Sequence, residues 1–203
     1  MLGPIKHLLK AKHIVLASGS PRRQELVKNI GLEVELCPSE FEENLDYKEF
    51  PDFASFVIET ANGKAIEVFD RLTRNSTAPD IVIAADTMVT LNEKMFGKPK
   101  TPEIAFQMLS ELAGKTHVVY TGVVIKHSKG SIKFHESCKV TFGDITKEQI
   151  QSYVNTGEPL DKAGGYGVQG IGGCLIKSIE GDYFTVVGLP LYRLCCELCK
   201  LFQ

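Results

Sequence analysis

The stretch KHIVLASGSPRRQELVKNIG, from Lys12 to Gly31, constrains the fold more than any other part of this chain. His13 to Ala17 is a short apolar, β-branched run, which predicts a buried strand. Ser18-Gly19-Ser20 predicts a small-residue turn. Pro21 suits the first position of a helix, where a missing N–H costs nothing, and Ser20 precedes it at the N-cap position. The helix is expected to run to about Asn29 and to stop at Gly31. A strand, a small turn and a helix start in succession make an anion site. The first-turn N–H groups lack intrahelical partners, and the helix dipole favours negative charge there. Arg22 and Arg23 sit in that same turn. Cations oppose the dipole at this end by about 0.3–1 kcal/mol each, and a bound polyanion would remove the penalty. Two solvated surface arginines are the plainer alternative.

Composition narrows the class. The chain has 203 residues, 43% hydrophobic and 24% charged, enough for one domain or two tightly joined lobes with a real core. A net charge of −2 offers no basic excess for nucleic acid or an anionic membrane. No apolar run approaches the ~18 residues that span a bilayer, and no signal peptide is visible in residues 1–12. Of six cysteines, Cys195, Cys196 and Cys199 crowd one segment, unlike a disulfide framework, so a reduced, cytoplasmic setting is expected. Cys196-x-x-Cys199 has no second ligand pair to complete a zinc site, which favours buried thiols on a core helix.

Several further residues carry candidate chemistry. Glu40-Phe41-Glu42-Glu43-Asn44 predicts an acidic loop soon after the anion turn, solvated surface unless one carboxylate holds a divalent cation. Phe53 to Leu72 predicts an amphipathic helix whose stripe of Phe53, Val57, Ala61 and Val68 is interrupted by Lys64. That lysine either snorkels or meets an anion. Ile81 to Ala85 reads as a central strand buried on both faces, closed by Asp86 and Thr87. An acid there either caps backbone or acts at the carboxyl end of the strand, where α/β sheets gather their sites. A turn at Asn92–Lys94 leads back to Lys98 in a tight loop. Thr101 is expected to cap a helix to about Leu112. Long antiparallel strands are expected over 118–125 and 132–142, and a capping box of Thr146 and Gln149 should open another helix. Gly157 to Gly173 has seven glycines interspersed with Asp161, Lys162, Tyr166 and Gln169, which suits close backbone approach to a ligand better than a linker. A hairpin over 175–187 and a closing helix over 189–202 complete the expectation.

These residues resemble a known family. Leu16-Ala17-Ser18-Gly19-Ser20-Pro21-Arg22-Arg23 resembles the signature of the Maf nucleoside triphosphate pyrophosphatases. Ala85-Asp86-Thr87, Lys98-Pro99, His117 to Gly122, Glu158 to Gly164, Tyr166-Gly167, Gln169-Gly170 and Val187 to Pro190 resemble family blocks in the same order, so the likeness covers nearly the whole chain. It implies a single α/β domain over residues 1–203. The expected fold is an elongated mixed sheet flanked by helices, with two lobes around a deep nucleotide cleft, of the kind shared by Maf and ITPase proteins.

The resemblance also implies hydrolysis of nucleoside triphosphates, namely dTTP, UTP and with them CTP or modified pyrimidine nucleotides, to the monophosphate and pyrophosphate. Excess or non-canonical nucleotides would be removed in this way. It implies a divalent cation, Mg²⁺ first with Mn²⁺ or Co²⁺ as substitutes, and a homodimer. By the same resemblance Asp86 takes the place of the general base and Glu43 that of an acid associated with metal or water. The division of base and metal-ligand roles between the two stays open. Ser18, Arg22, Arg23, Lys64 and Lys98 take phosphate-contacting positions. Arg22, Thr87 and Gln169 match the dTTP/UTP pattern rather than that of 7-methyl-GTP-type relatives. A glutamine amide offers both donor and acceptor, which suits the O4/N3–H edge shared by uracil and thymine. Gly97 and Gly63 depart from the commoner family residues, the latter at about 1 kcal/mol relative to alanine in a helix. A nucleotide-binding regulatory module without turnover is the rival expectation. A third is a domain of a longer enzyme, since similar domains occur fused to a methyltransferase-like domain.

Overall fold

The computed structural model describes residues 1–202. In chain order the elements are α1 (Lys6–Lys10), β1 (Ile14–Leu16), α2 (Pro21–Asn29), β2 (Glu35–Leu36), α3 (Phe53–Arg74), β3 (Ile81–Leu91), β4 (Lys94–Phe96), α4 (Pro102–Leu112), β5 (Thr116–His127), β6 (Gly130–Phe142), α5 (Lys147–Asn155), β7 (Ile176–Glu180), α6 (Tyr183–Val187) and α7 (Leu191–Leu201). The strands form a seven-stranded sheet of order β2-β1-β3-β5-β6-β7, with β4 paired to β3. It is mixed. β1 is parallel to both β2 and β3, with Val15 opposite Glu35 and Val82, while β4 and β7 run antiparallel to β3 and β6. A strand flanked on both edges and covered on both faces reads as a continuous apolar run, which is why Ile14-Val15-Leu16 and Ile81 to Ala85 carry no alternation.

The chain divides into two compact units. The first comprises Met1–Asp86, Thr121–Glu136 and the residues from Gly188 onward; the second comprises Thr87–Tyr120 and Ser137–Val187.

In the first unit α3 lays Ala61, Ala65, Val68 and Leu72 against Val15, Ala17, Val82, Ala84 and Val124. Asp52 caps its N-terminus, accepting from the Ser55 N–H at 2.7 Å. Gly122 of β5 lies directly under this helix, where a Cβ would come within 2.6 Å of the Val57 backbone. α2 ends as its sequence predicts, on Gly31 at φ 70°, with the Leu32 N–H returning to Val27 O at 3.0 Å. Ser20 holds the N-cap position with extended backbone but makes no capping bond through its side chain. The neighbouring Ser18 hydroxyl accepts the Ser20 N–H instead.

In the second unit Val89, Phe96, Leu109, Leu112, Phe142, Ile150 and Val154 form the core under α4 and α5. Both helices start at threonine caps. Thr101 accepts from Ile104 N–H, and Thr146 and Gln149 form the expected capping box. The β3–β4 turn is made by Asn92 and Glu93 with φ of 48° and 62°, the left-handed pair that a two-residue hairpin requires. His117 is fully buried in this core, with Nε2 at 2.7 Å from the Tyr166 hydroxyl and its ring edge-to-face with Phe142. Its Nδ1 has no hydrogen-bond partner among the described residues.

Two expectations are corrected. The segment after β7 does not return as a strand. Asp182 accepts the Phe184 and Thr185 N–H groups and starts the short helix α6. An aspartate that can hold two successive N–H groups favours a helical turn over a β-arm. The strand expected over 33–37 is reduced to Glu35–Leu36, because it pairs only along the end of β1. No helix among the described residues is long and apolar enough to cross a membrane.

Candidate active site

Ser18 lies two residues past the end of β1, and the geometry there is set by side chains. The buried Ser18 hydroxyl accepts from Ser20 N–H at 3.2 Å and from Arg23 Nη1 at 3.3 Å, and its carbonyl accepts from Gln24 Nε2 at 3.5 Å. Arg23 is held from the other side by donating Nε to Gly188 O at 2.7 Å. Burial lowers the Arg23 pKa, and the neighbouring Arg22 lowers it further, against the opposing fields of Asp86 and Glu43. A partly desolvated guanidinium beside a second arginine at a helix start is primed for an anion.

Asp86 closes the buried run of β3, and Lys64 reaches it from α3. The ammonium lies 2.8 Å from Asp86 Oδ1 and 2.8 Å from Glu43 Oε1. The Lys64 and Asp86 side chains are only 12% and 14% exposed, while that of Glu43 is 57% exposed. Lys64 therefore does not snorkel away from the apolar stripe of α3; it bridges two carboxylates. Asp86 and Glu43 can evidently share one cation. Their hard oxygen donors suit a divalent ion of the Mg²⁺ type, which commonly takes one or two carboxylates and completes its shell with phosphate oxygens and water. Among the described residues no group of three or more His, Cys, Asp or Glu could hold a metal by itself.

The loop bearing Glu43 is fastened to α3 by residues that sequence reasoning did not single out. Arg71 donates to Pro38 O at 3.0 Å and to Glu67 Oε1 at 2.6 Å. Glu67 Oε2 in turn accepts from the Ser39 hydroxyl at 2.8 Å and the Glu40 N–H at 2.9 Å. The Phe41 ring then lies flush on Gly63, where a Cβ would come within 2.4 Å of it. The unusual glycine at 63 is thus the seat of Phe41, two residues before Glu43. The spacing of Glu67 and Arg71 was legible as a helix-face ion pair, but not what it would grip.

The remaining candidates belong to the second unit. Thr87 follows Asp86 within β3 and is half-buried. Lys98 is exposed on the loop after β4, where Gly97 O accepts the Gly164 N–H at 3.1 Å. A Cβ at Gly97 would meet open space, so no steric demand explains that glycine. Gly164, by contrast, has φ 70° and lies so close to Val89 that a Cβ would sit 2.9 Å from its side chain. Gln169 is exposed on a tight glycine turn. That turn folds around Glu158, whose carboxylate accepts from the Tyr153 hydroxyl at 2.9 Å and from the N–H groups of Ile171 and Gly172 at 3.0 and 3.1 Å. Burial pushes the Glu158 pKa up, but those three donors outweigh it and hold the group below the usual carboxylate range.

The structure thus brings Ser18, Arg22 and Arg23 together at one helix start and joins Lys64, Asp86 and Glu43 in one cluster, all within the first unit. Thr87, Lys98 and Gln169 belong to the second.

Comparison with known proteins places the chain among relatives of similar sequence. A "Probable bifunctional dTTP/UTP pyrophosphatase/methyltransferase protein" of Homo sapiens is 44% identical over 211 residues, covering 100% of this chain and 34% of that protein. The chain therefore spans about a third of the human relative. A "dTTP/UTP pyrophosphatase" of Bacillus cereus (strain G9842) is 44% identical over 187 residues, covering 92% of this chain and 94% of the relative. One of Desulforamulus reducens is 49% identical over 187 residues, covering 91% and 94%. Residues 13–201 match the family model described as Maf-like protein, a span that holds every candidate named above, and the chain belongs to that family.

Proposed function

We propose that this chain is a nucleoside triphosphate pyrophosphatase that hydrolyses dTTP and UTP to the monophosphate and pyrophosphate. The observation that carries the reading is the pairing of the Ser18–Arg23 anion turn with the Lys64–Asp86–Glu43 cluster in one unit. Relatives of almost the same length, named dTTP/UTP pyrophosphatase, support the substrate.

Phosphoryl transfer asks the protein for position and charge rather than covalent chemistry. The N–H groups at the start of α2 and the guanidinium groups of Arg22 and Arg23 hold phosphate oxygens and neutralise the pyrophosphate that leaves. Lys98 keeps the phosphate-contacting role given by the family resemblance. Asp86 takes the proton of the water whose oxygen attacks the α-phosphorus, as the α–β bridging bond breaks. Lys64 orients Asp86 and Glu43 and supplies a positive charge beside them. Asp86 and Glu43 would hold a divalent cation, Mg²⁺ first, which when bound screens phosphate charge. Thr87, Arg22 and Gln169 select the base. A homodimer in a reduced, cytoplasmic setting belongs to the same reading; its support is the family likeness and the six free cysteines.

The test is kcat/KM across a nucleotide panel with Mg²⁺, with products separated by chromatography. The expected order is dTTP and UTP first, CTP next, ATP and GTP poor, with monophosphate and pyrophosphate as products. Binding without turnover would replace the enzyme by a regulatory module. A preference for 7-methyl-GTP, ITP or XTP would overturn the substrate while leaving the reaction.

A further inference from the structure

Glu158 is a carboxylate with no place in the reaction described above, yet it is the centre of the turn that carries Gln169. Oε1 accepts from the Tyr153 hydroxyl and the Gly172 N–H, and Oε2 from the Ile171 N–H. The Tyr153 oxygen also accepts the Gly167 N–H at 3.2 Å, so one carboxylate and one hydroxyl pin both ends of the segment 167–172. Within it, Gly170 N–H returns to Gly167 O and Gly173 N–H to Gly170 O. The glycines make room for this carboxylate. A Cβ at Gly170 would lie 2.6 Å from each Glu158 oxygen, and one at Gly172 would lie 2.5 Å from the Tyr153 hydroxyl. Lys162 donates to Glu158 O and Asp161 Oδ1, closing the preceding turn. Gln169 lies between the pinned ends and is exposed. Among the described residues no hydrogen bond holds its side chain, and the backbone that carries it is held by Glu158 and Tyr153.

We propose that Glu158, with Tyr153, is a positioning residue for base selection, holding the Gln169 turn in the one conformation that can discriminate pyrimidine from purine. This rests on Gln169 reading the base, as proposed above. A carboxylate is required because three donors converge on it; an amide oxygen can satisfy only part of that set and brings its own N–H groups among them.

The experiment compares the UTP/GTP ratio of kcat/KM for wild type, Glu158→Gln, Tyr153→Phe, Gln169→Ala and the double variant Glu158→Gln/Gln169→Ala. Glu158→Gln should lower the ratio about tenfold, the size of one lost hydrogen bond, through a raised KM for UTP with kcat nearly kept. Tyr153→Phe should shift the ratio the same way by a smaller factor, and it serves if the first variant folds poorly. On the Gln169→Ala background the Glu158 substitution should add nothing to the ratio, since it acts through that side chain. A lowered melting temperature with an unchanged ratio in both Glu158→Gln and Tyr153→Phe would make Glu158 structural only and overturn the proposal. An unchanged ratio in Gln169→Ala would overturn the base-reading assignment beneath it, and the two failures are told apart by that single variant.

Discussion

Removing the Lys64 ammonium would take away the positive charge that bridges Asp86 and Glu43. Lys64→Ala is therefore expected to lose about 10²-fold in kcat, comparable to removing one preorganised charge from an active site. Asp86→Asn should lose at least as much, and full activity in either folded variant would remove it from the machinery. The sequence placed Lys64 on the apolar stripe and Asp86 at a strand end; β3 instead runs on through Asp86 to Leu91, its burial rather than the strand breaking there, and only the fold could show that Lys64 and Asp86 are partners. His117 makes a prediction about pH. Burial lowers its pKa from 6.5 to about 4, so the folded state holds it neutral. Stability from that group is intact above pH 6.5 and is lost as pH falls from there to about 4, by about 3 kcal/mol in all. Urea unfolding of wild type and His117→Leu across that window checks this; equal slopes would refute it. The sequence contained His117 in a family block, yet its burial against Tyr166 and Phe142 depended on contacts far along the chain.

Helix α3 serves at once as core and as scaffold. Its inner face was readable from periodicity, and its ends agree with the expected Phe53 start within two residues at the far end. What the pattern concealed was the second face, where Gly63, Glu67 and Arg71 fasten the loop bearing Glu43. Gly63→Ala puts two effects in opposition. Helix propensity gains about 1 kcal/mol, while the added Cβ displaces the Phe41 ring. Net stability should change little, but kcat should fall several-fold because Glu43 moves with the loop. Calorimetry beside steady-state kinetics separates the two, and a variant that is both more stable and fully active would show that the Phe41 seat is dispensable. One element misread from sequence, the hairpin over 175–187, kept its first arm as β7 and lost its second for a local reason. Asp182 offered the backbone a better bonding pattern than a returning strand, and its two accepted N–H groups decided for a helical turn.

At the scale of the whole molecule, the order of strands and helices followed from buried runs, caps and glycines, whereas the strand order across the sheet came from pairings between distant segments that no local pattern encodes. All six cysteines are free, so stability should not depend on a cross-link. Thermal unfolding with and without a thiol reductant should give one and the same midpoint; a lower midpoint in the reductant would expose a disulfide. Gly122 has a consequence of a different kind. A Cβ there would meet first the α3 backbone at Val57 and Ile58, and Lys64 lies seven residues beyond Val57, about 10 Å along the helix axis. A wedge at 122 would tilt the rod that carries the ammonium. Anyone diversifying this scaffold for new nucleotides by mutating only residues that line the ligand would leave untouched, and undervalue, a position where any side chain would collide with helix backbone.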